Sequence, residues 1–340
     1  MTDRVISFLN ALKSKEYRGN RKNVEYPDVT DDRFMNAAHF FTQTEKAETP
    51  ILYKGDIFGF NRTVKNPAGN VPWRMNNFTP DYAWAMQNGF CAIRKDLCKR
   101  SEEAFPERKN FFLSAIKHID GIFDFSERYR EYAEKREVNL LADALKNVPA
   151  NKPKNYYEAL VFMKIIIYSL RSSHVDHVTL GRFDQYMYPY YLASIENGVT
   201  EAEILEQTEL FFISLNLDTD LYCGVQQGDN GQSLVLGGRT PEKADAYNEL
   251  SEIIMTAAEE LCLIDPKINL RVDKNTPLSA LQSADSALRA ALYVSGDKNA
   301  KRGEKGALNI TAGKVCFVVF FGGLIFAAQV FVYKKKEKTA

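Results

Sequence analysis

Residues Tyr156–Leu170 read YYEALVFMKIIIYSL. A helix over this stretch is apolar on nearly every face, so it must be buried on most sides. That requirement excludes a small two-layer domain, and 340 residues are enough to build the surround. Two short β-type runs follow, Ser233–Leu236 (SLVL) and Lys267–Val272 (KINLRV), each followed by a breaker or turn. Helical patterns flank them at about 201–216 and 242–263. Helices separated by short buried strands predict an α/β fold with parallel strands. Upstream, Pro80-Asp81 begins a helix with Tyr82, Met86, Ile93 and Leu97 near one face. Residues 108–147 carry a stripe of Phe112, Ile116, Ile119 and Phe123, and Pro149 and Pro153 then break the chain.

The C-terminal segment is a different kind of sequence. Val315–Tyr333 (VCFVVFFGGLIFAAQVFVY) holds no charged residue, with Lys314 before it and Lys334–Lys336 after it. As a helix, 19 residues span about 28 Å, close to the hydrocarbon thickness of a bilayer. A transmembrane helix is the expectation. With no apolar signal segment in residues 1–20, this suggests a C-terminal membrane anchor with a cytoplasmic body. The alternative is a hairpin turning at Gly322-Gly323, which the β-branched and aromatic content permits.

The 44 basic and 44 acidic residues balance overall but are unevenly spread. Nine basic and two acidic residues fall in 298–340, leaving 35 basic and 42 acidic in 1–297. An acidic body argues against nucleic acid as a partner, because phosphate binding needs clustered cations. The five cysteines form no CxxC pair, so neither a zinc site nor a disulfide framework is expected.

Candidate chemistry lies in the second half of the body. His174, Asp176 and His177 have metal-ligand chemistry but no third-ligand motif, so no metal is expected. Tyr222–Gly238 (YCGVQQGDNGQSLVLGG) carries five glycines and many amides. It is not a P-loop, since no Gly-Lys-Ser/Thr occurs. Its glycines precede the strand instead of following one, so it is not a dinucleotide fingerprint. Gln226 and Gln232 are candidates for pocket-lining amides. Cys223 lies in the same loop, with no neighbouring His or Lys to activate its thiol. In GRFDQYMYPYY (181–191), Arg182 either binds a substrate carboxylate or pairs with Asp184 or a nearby acid to fix the aromatic turn.

Four segments in order, GRFDQYMYPYY (181–191), GVQQGDNGQSLVLGG (224–238), NELSEIIMTAAEE (248–260) and DPKINLRVDKNTPL (265–278), resemble the N-terminal half of glycyl radical enzymes. The pyruvate formate-lyase-like proteins are the most similar subgroup. TPDYAWAMQNG (79–89) and 129–160 also resemble the family, so the likeness covers roughly residues 75–285. The resemblance implies a helix-rich α/β fold, half of a ten-stranded barrel. It also implies radical chemistry of the lyase or formate acetyltransferase type, cleaving a C–C or C–X bond of a small metabolite. A separate activating enzyme, using an iron–sulfur cluster and S-adenosylmethionine, installs a glycyl radical, so no bound cofactor is expected on this chain. The radical then passes to a cysteine. Such chemistry needs a dry, buried site. The family is often homodimeric.

The departures from the pattern are specific. The resemblance implies a catalytic cysteine beyond KINLRVDKNTPL and a glycine in Arg-Val-x-Gly-aromatic. The only Arg-Val pairs here are Arg4-Val5 and Arg271-Val272, neither followed by x-Gly-aromatic. Cys316 lies inside the apolar run. No catalytic residue is therefore assigned. The expected organisation is an N-terminal lead-in at 1–74, a truncated lyase-like domain at 75–290 and a basic linker at 291–314. A membrane helix at 315–333 and a basic tail at 334–340 follow. The expected state is inactive alone. The alternatives are a membrane-tethered binding module, or one half of a split enzyme whose C-terminal half is supplied in trans.

Overall fold

The computed structural model describes residues 1–15, 21–65, 79–173, 175, 177–217, 232–242, 244–263, 265–272, 276, 278–284, 316–321 and 324–327. The centre of the fold is helix α7 (Tyr156–Ser172), in keeping with its apolar sequence. Asn155 caps its N-terminus by accepting from the Glu158 amide, and all but two of its residues are buried. Its two basic residues are buried because they bond elsewhere. Lys164 Nζ donates to the Ser214 carbonyl at 2.8 Å, and Arg171 Nη1 donates to the Leu215 carbonyl at 3.4 Å. Both carbonyls belong to the C-terminal turn of α10 (Glu201–Leu215), which begins at a Thr200/Glu203 capping box.

Around α7 lie α1 (Asp3–Ser14), α2 (Arg33–Ala47), α3 (Tyr82–Asn88), α4 (Phe90–Glu103), α5 (Pro106–Lys135), α6 (Asn139–Leu145), α8 (Phe183–Tyr186), α9 (Tyr188–Glu196) and α11 (Glu249–Leu261). The helix expected after Pro80 is two helices. Gly89, at φ +73°, separates them, and a Cβ there would stand 2.8 Å from the Ala150 carbonyl oxygen. The Phe90 and Cys91 amides bond the carbonyls of Pro149 and Ala150, each at 2.9 Å. The break also divides the expected apolar face: Tyr82 and Met86 are buried, whereas Ile93 and Leu97 are only half-buried. On α5 the buried stripe is Ile116, Ile119, Ile122, Phe125 and Tyr129.

The sheet joins β1 (Ser233–Gly237), β2 (Lys267–Val272), β3 (Cys316–Phe321) and β4 (Leu324–Ala327) in that spatial order. β1, β2 and β3 are parallel, as the alternation of helices and short strands predicts, and β4 is antiparallel. Residues 180–181 add a short parallel bridge to the other edge of β1, with Leu180 N to Ser233 O at 2.7 Å and Val235 N to Gly181 O at 2.8 Å.

The expected transmembrane helix over 315–333 is corrected where the segment is described, at 316–321 and 324–327. Cys316–Phe321 pairs with β2 from Asn269↔Cys316 to Val272↔Val319, and Phe321↔Leu324 closes a hairpin with β4. Among the described residues, no helix is long and apolar enough to cross a membrane. Two features favour strands: the segment is dense in Val and Phe, and the β2 edge offers unpaired backbone groups. The basic linker and the last residues lie outside the described residues.

Candidate functional site

Side-chain alternation gives β1 and β2 two different faces. Leu234 and Leu236 of β1, with Ile268 and Leu270 of β2, are buried in the helical core. Ser233, Val235, Lys267, Asn269 and Arg271 occupy the other face and are half-buried. The register sets Ser233 beside Lys267 and Val235 beside Asn269. One face is thus wholly apolar across both strands and the other is predominantly polar. Lys267 Nζ is 3.5 Å from the Asp265 carboxylate, which is fully buried. Asn269 Nδ2 donates to the Leu234 carbonyl at 3.2 Å, which holds the amide against the sheet.

The C-terminal end of β1 is shaped by Gly237 (φ +64°) and Gly238 (φ +87°). A Cβ on Gly238 would stand 3.3 Å from Arg271 Cβ and Cδ, so this glycine leaves the lane in which Arg271 lies. The segment around α8 fastens the same turn. Arg182 Nη2 donates to the carbonyls of Gly237 at 2.9 Å and Arg239 at 3.3 Å. Asp184 Oδ2 accepts from Gly237 N and from Ser251 Oγ, each at 2.7 Å. Gln185 Nε2 donates to the Ala246 carbonyl at 2.6 Å. Burial pushes the Asp184 carboxyl above its ordinary range, and the Gly237 amide and Ser251 hydroxyl offset part of that.

The sequence-derived candidates therefore separate. Arg182 and Asp184 meet at the Gly237-Gly238 turn, and both bond backbone there. Among the described residues, Asp184 Oδ1 and Arg182 Nε have no hydrogen-bond partners. Gln232 is fully buried in phase with Leu234 and Leu236, on the core side of β1 and away from the polar face. Among the described residues its side-chain amide has no hydrogen-bond partner, while its backbone carbonyl accepts the Lys267 amide at 2.8 Å. Cys223 and Gln226 lie outside the described residues, as do His174 and Asp176. Ser233, Asn269 and Arg271 did not stand out from composition. The alternation in K-I-N-L-R-V was the signal that could have found them.

Among the described residues no group of three His, Cys, Asp or Glu could hold a metal ion. The free cysteines whose surroundings are described are Cys91, exposed on α4, Cys98, half-buried on α4, and Cys262 at the C-cap of α11.

Comparison with known proteins decides the family. The pyruvate formate lyase-like family model matches residues 72–297. The chain belongs to the pyruvate formate lyase-like family. This lyase-like chain is 23% identical over 224 residues to the isethionate sulfite-lyase of Bilophila wadsworthia, covering 58% of this chain and 27% of that enzyme. It is 25% identical over 226 residues to the trans-4-hydroxy-L-proline dehydratase of Clostridioides difficile, covering 58% and 28%. The match thus spans little more than a quarter of either relative's length. A glycyl radical enzyme structure from Archaeoglobus fulgidus superposes with a TM-score of 0.71 at 15% identity, over 92% of this chain and 55% of that one. A Roseburia inulinivorans structure from work on 1,2-propanediol dehydration gives 0.72 at 16%, over 94% and 50%. The fold is the helix-rich α/β fold of glycyl radical enzyme barrels, over about half their length.

Proposed function

We propose that residues 1–340 supply the first half of the barrel wall of a glycyl radical enzyme, with the polar face of β1 and β2 turned toward the substrate. The observation that carries this reading is the division of the two strands. One face packs into the helical core, and the other presents Ser233, Asn269 and Arg271 as hydrogen-bonding groups. A barrel wall needs both faces, an outer one packed on helices and an inner one facing the reaction.

The reaction class is lyase-type cleavage of a C–C or C–X bond in a small polar metabolite. Three curated relatives support it by name: isethionate sulfite-lyase, trans-4-hydroxy-L-proline dehydratase and (2S)-3-sulfopropanediol dehydratase. Ser233, Asn269 and Arg271 suit a substrate that carries a hydroxyl and an acidic group, because hydroxyl, amide and guanidinium together offer donors and acceptors. These strands orient the substrate and help keep water out.

The radical itself requires a glycine and a cysteine that the family pattern does not place within these residues. In this reading they come from further sequence, either of the same polypeptide or of a second one, and a separate activase installs the radical. The 340 residues alone are inactive. The membrane-tethered module is not favoured, since the segment that motivated it pairs with β2 as a strand.

The test is anaerobic turnover by the complete enzyme that contains these residues. Asn269→Ala and Arg271→Ala are expected to raise KM for the hydroxylated substrate about tenfold or more while leaving the glycyl radical signal intact. Unchanged kinetics in both variants would remove this face from the site.

A further inference from the structure

A concave site lies away from the sheet. A cleft of about 650 Å³ is walled by α1, the turn at 52–57 and the junction of α5 and α6. Its size is that of small-molecule sites. Leu52, Tyr53, Ile57, Val138 and Leu140 give it apolar walls, and Arg4, Lys54 and Arg136 give it three cations.

The acids nearby cancel only part of that charge. Asp56 lines the cleft, but its carboxylate is buried and turned into its own loop. There it accepts from Phe58 N at 2.9 Å, Gly59 N at 3.0 Å and Asn61 Nδ2 at 2.6 Å. Glu137 is therefore the one exposed acid of the lining, and with Arg4 taken by Glu206 the cations open to a ligand are Lys54 and Arg136. Arg4 reaches Glu206 at 3.3 Å and stays half exposed. Arg136 donates from Nε to Tyr132 Oη at 3.2 Å and lies over that ring, 5.5 Å from its centroid. Its two Nη groups have no hydrogen-bond partner among the described residues. Lys54 is exposed and pairs with no described carboxylate.

The walls are fixed by backbone. Gly55, at φ +87°, presses on α1 so closely that a Cβ would stand 2.5 Å from the Arg4 carbonyl oxygen. Glu137, at φ +58°, turns the chain at the end of α5, with Val138 N bonding Ala133 O at 2.9 Å, and so sets Arg136 beside the cleft. Cations on a fixed apolar frame match one ligand chemistry. We infer that this cleft binds a small organic oxyanion, with the charged head on Lys54 and Arg136 and the apolar body against Leu52 and Leu140.

The site does not depend on the barrel reading, so the chain can be tested as it stands. Isothermal titration with phenyl phosphate is expected to saturate one site, with inorganic phosphate weaker and neutral benzyl alcohol silent. Lys54→Glu and Arg136→Glu should each weaken phenyl phosphate about tenfold or more, the scale of one charged hydrogen bond. Lys95→Glu, an exposed charge reversal on α4, should leave it unchanged. Thermal melts confirm that each variant is folded. No saturation by phenyl phosphate overturns the proposal. So does equal affinity in the Lys54→Glu/Arg136→Glu double variant, or binding of benzyl alcohol as tight as that of phenyl phosphate.

Discussion

The carboxylate of Asp184 accepts the amide of Gly237 at 2.7 Å, joining the first turn of α8 to the end of β1. The same oxygen accepts the Ser251 hydroxyl of α11. One buried oxygen thus ties two helices to the strand that leads into the Gly237-Gly238 turn. Asp184→Ala leaves the Gly237 amide and the Ser251 hydroxyl unsatisfied in the core. It should cost about 2–4 kcal/mol in urea denaturation. Ser251→Ala removes the bond to Asp184 and the one its hydroxyl accepts from the Asn248 amide at 3.1 Å, and should cost about 1–2 kcal/mol.

A second prediction concerns pH. Burial, then the neighbouring Glu48 charge, hold the Glu45 carboxyl well above its ordinary value, and Tyr168 and Arg128 offset only part. Among the described residues, neither Glu45 carboxylate oxygen lies in ordinary hydrogen-bond geometry with a partner. Arg128 bonds the Glu45 backbone carbonyl instead. A raised folded pKa means that the native state keeps this proton to higher pH than the unfolded state does. Glu45 is therefore least harmful below the ordinary carboxylate range, and its cost grows as pH rises through the folded value. Each unit of elevation costs about 1.4 kcal/mol once both states are ionised. Glu45→Gln should raise the urea midpoint at pH 8 and flatten its decline from pH 5. An unchanged slope would exclude Glu45 as the source.

A third prediction tests the helix break. Gly89→Ala forces a side chain onto a backbone conformation at φ +73° and toward the Ala150 carbonyl. The loss should be about 2 kcal/mol or more, read from the thermal midpoint. Gln87→Ala, two residues earlier and exposed, should cost well under half as much.

A fourth concerns β3. Proline at Val318 removes an amide from a strand paired on both sides. Hydrogen exchange at Leu270–Val272 should speed up in Val318→Pro, because β2 loses its neighbour. If exchange there is the same as in the parent chain, the pairing is not the one described.

The sequence made some of this legible and hid the rest for physical reasons. Helix α7 was readable because few soluble helices are apolar all round, and β1 and β2 because their apolar positions stand between turn residues. The break at Gly89 was not, since it depends on carbonyls at 149–150, some sixty residues away. The tail misled because apolar length alone does not separate a membrane helix from a strand hairpin, and the decisive partner, the β2 edge, is distant in the chain. At the candidate site, Arg182 and Asp184 stood out by chemistry, yet they fasten a turn. Asn269 and Arg271 were masked because KINLRV reads as a compact apolar strand until its alternate residues are taken separately. The resemblance supplied the family; it could not supply which face of the strand looks inward.

The most direct test of the account is electron paramagnetic resonance after anaerobic activation with an activase and S-adenosylmethionine. Residues 1–340 alone should give no glycyl radical, and the complete assembly that contains them should give one and turn over a small hydroxylated substrate. A glycyl radical or turnover on residues 1–340 alone, or a complete assembly that never carries the radical, would contradict it.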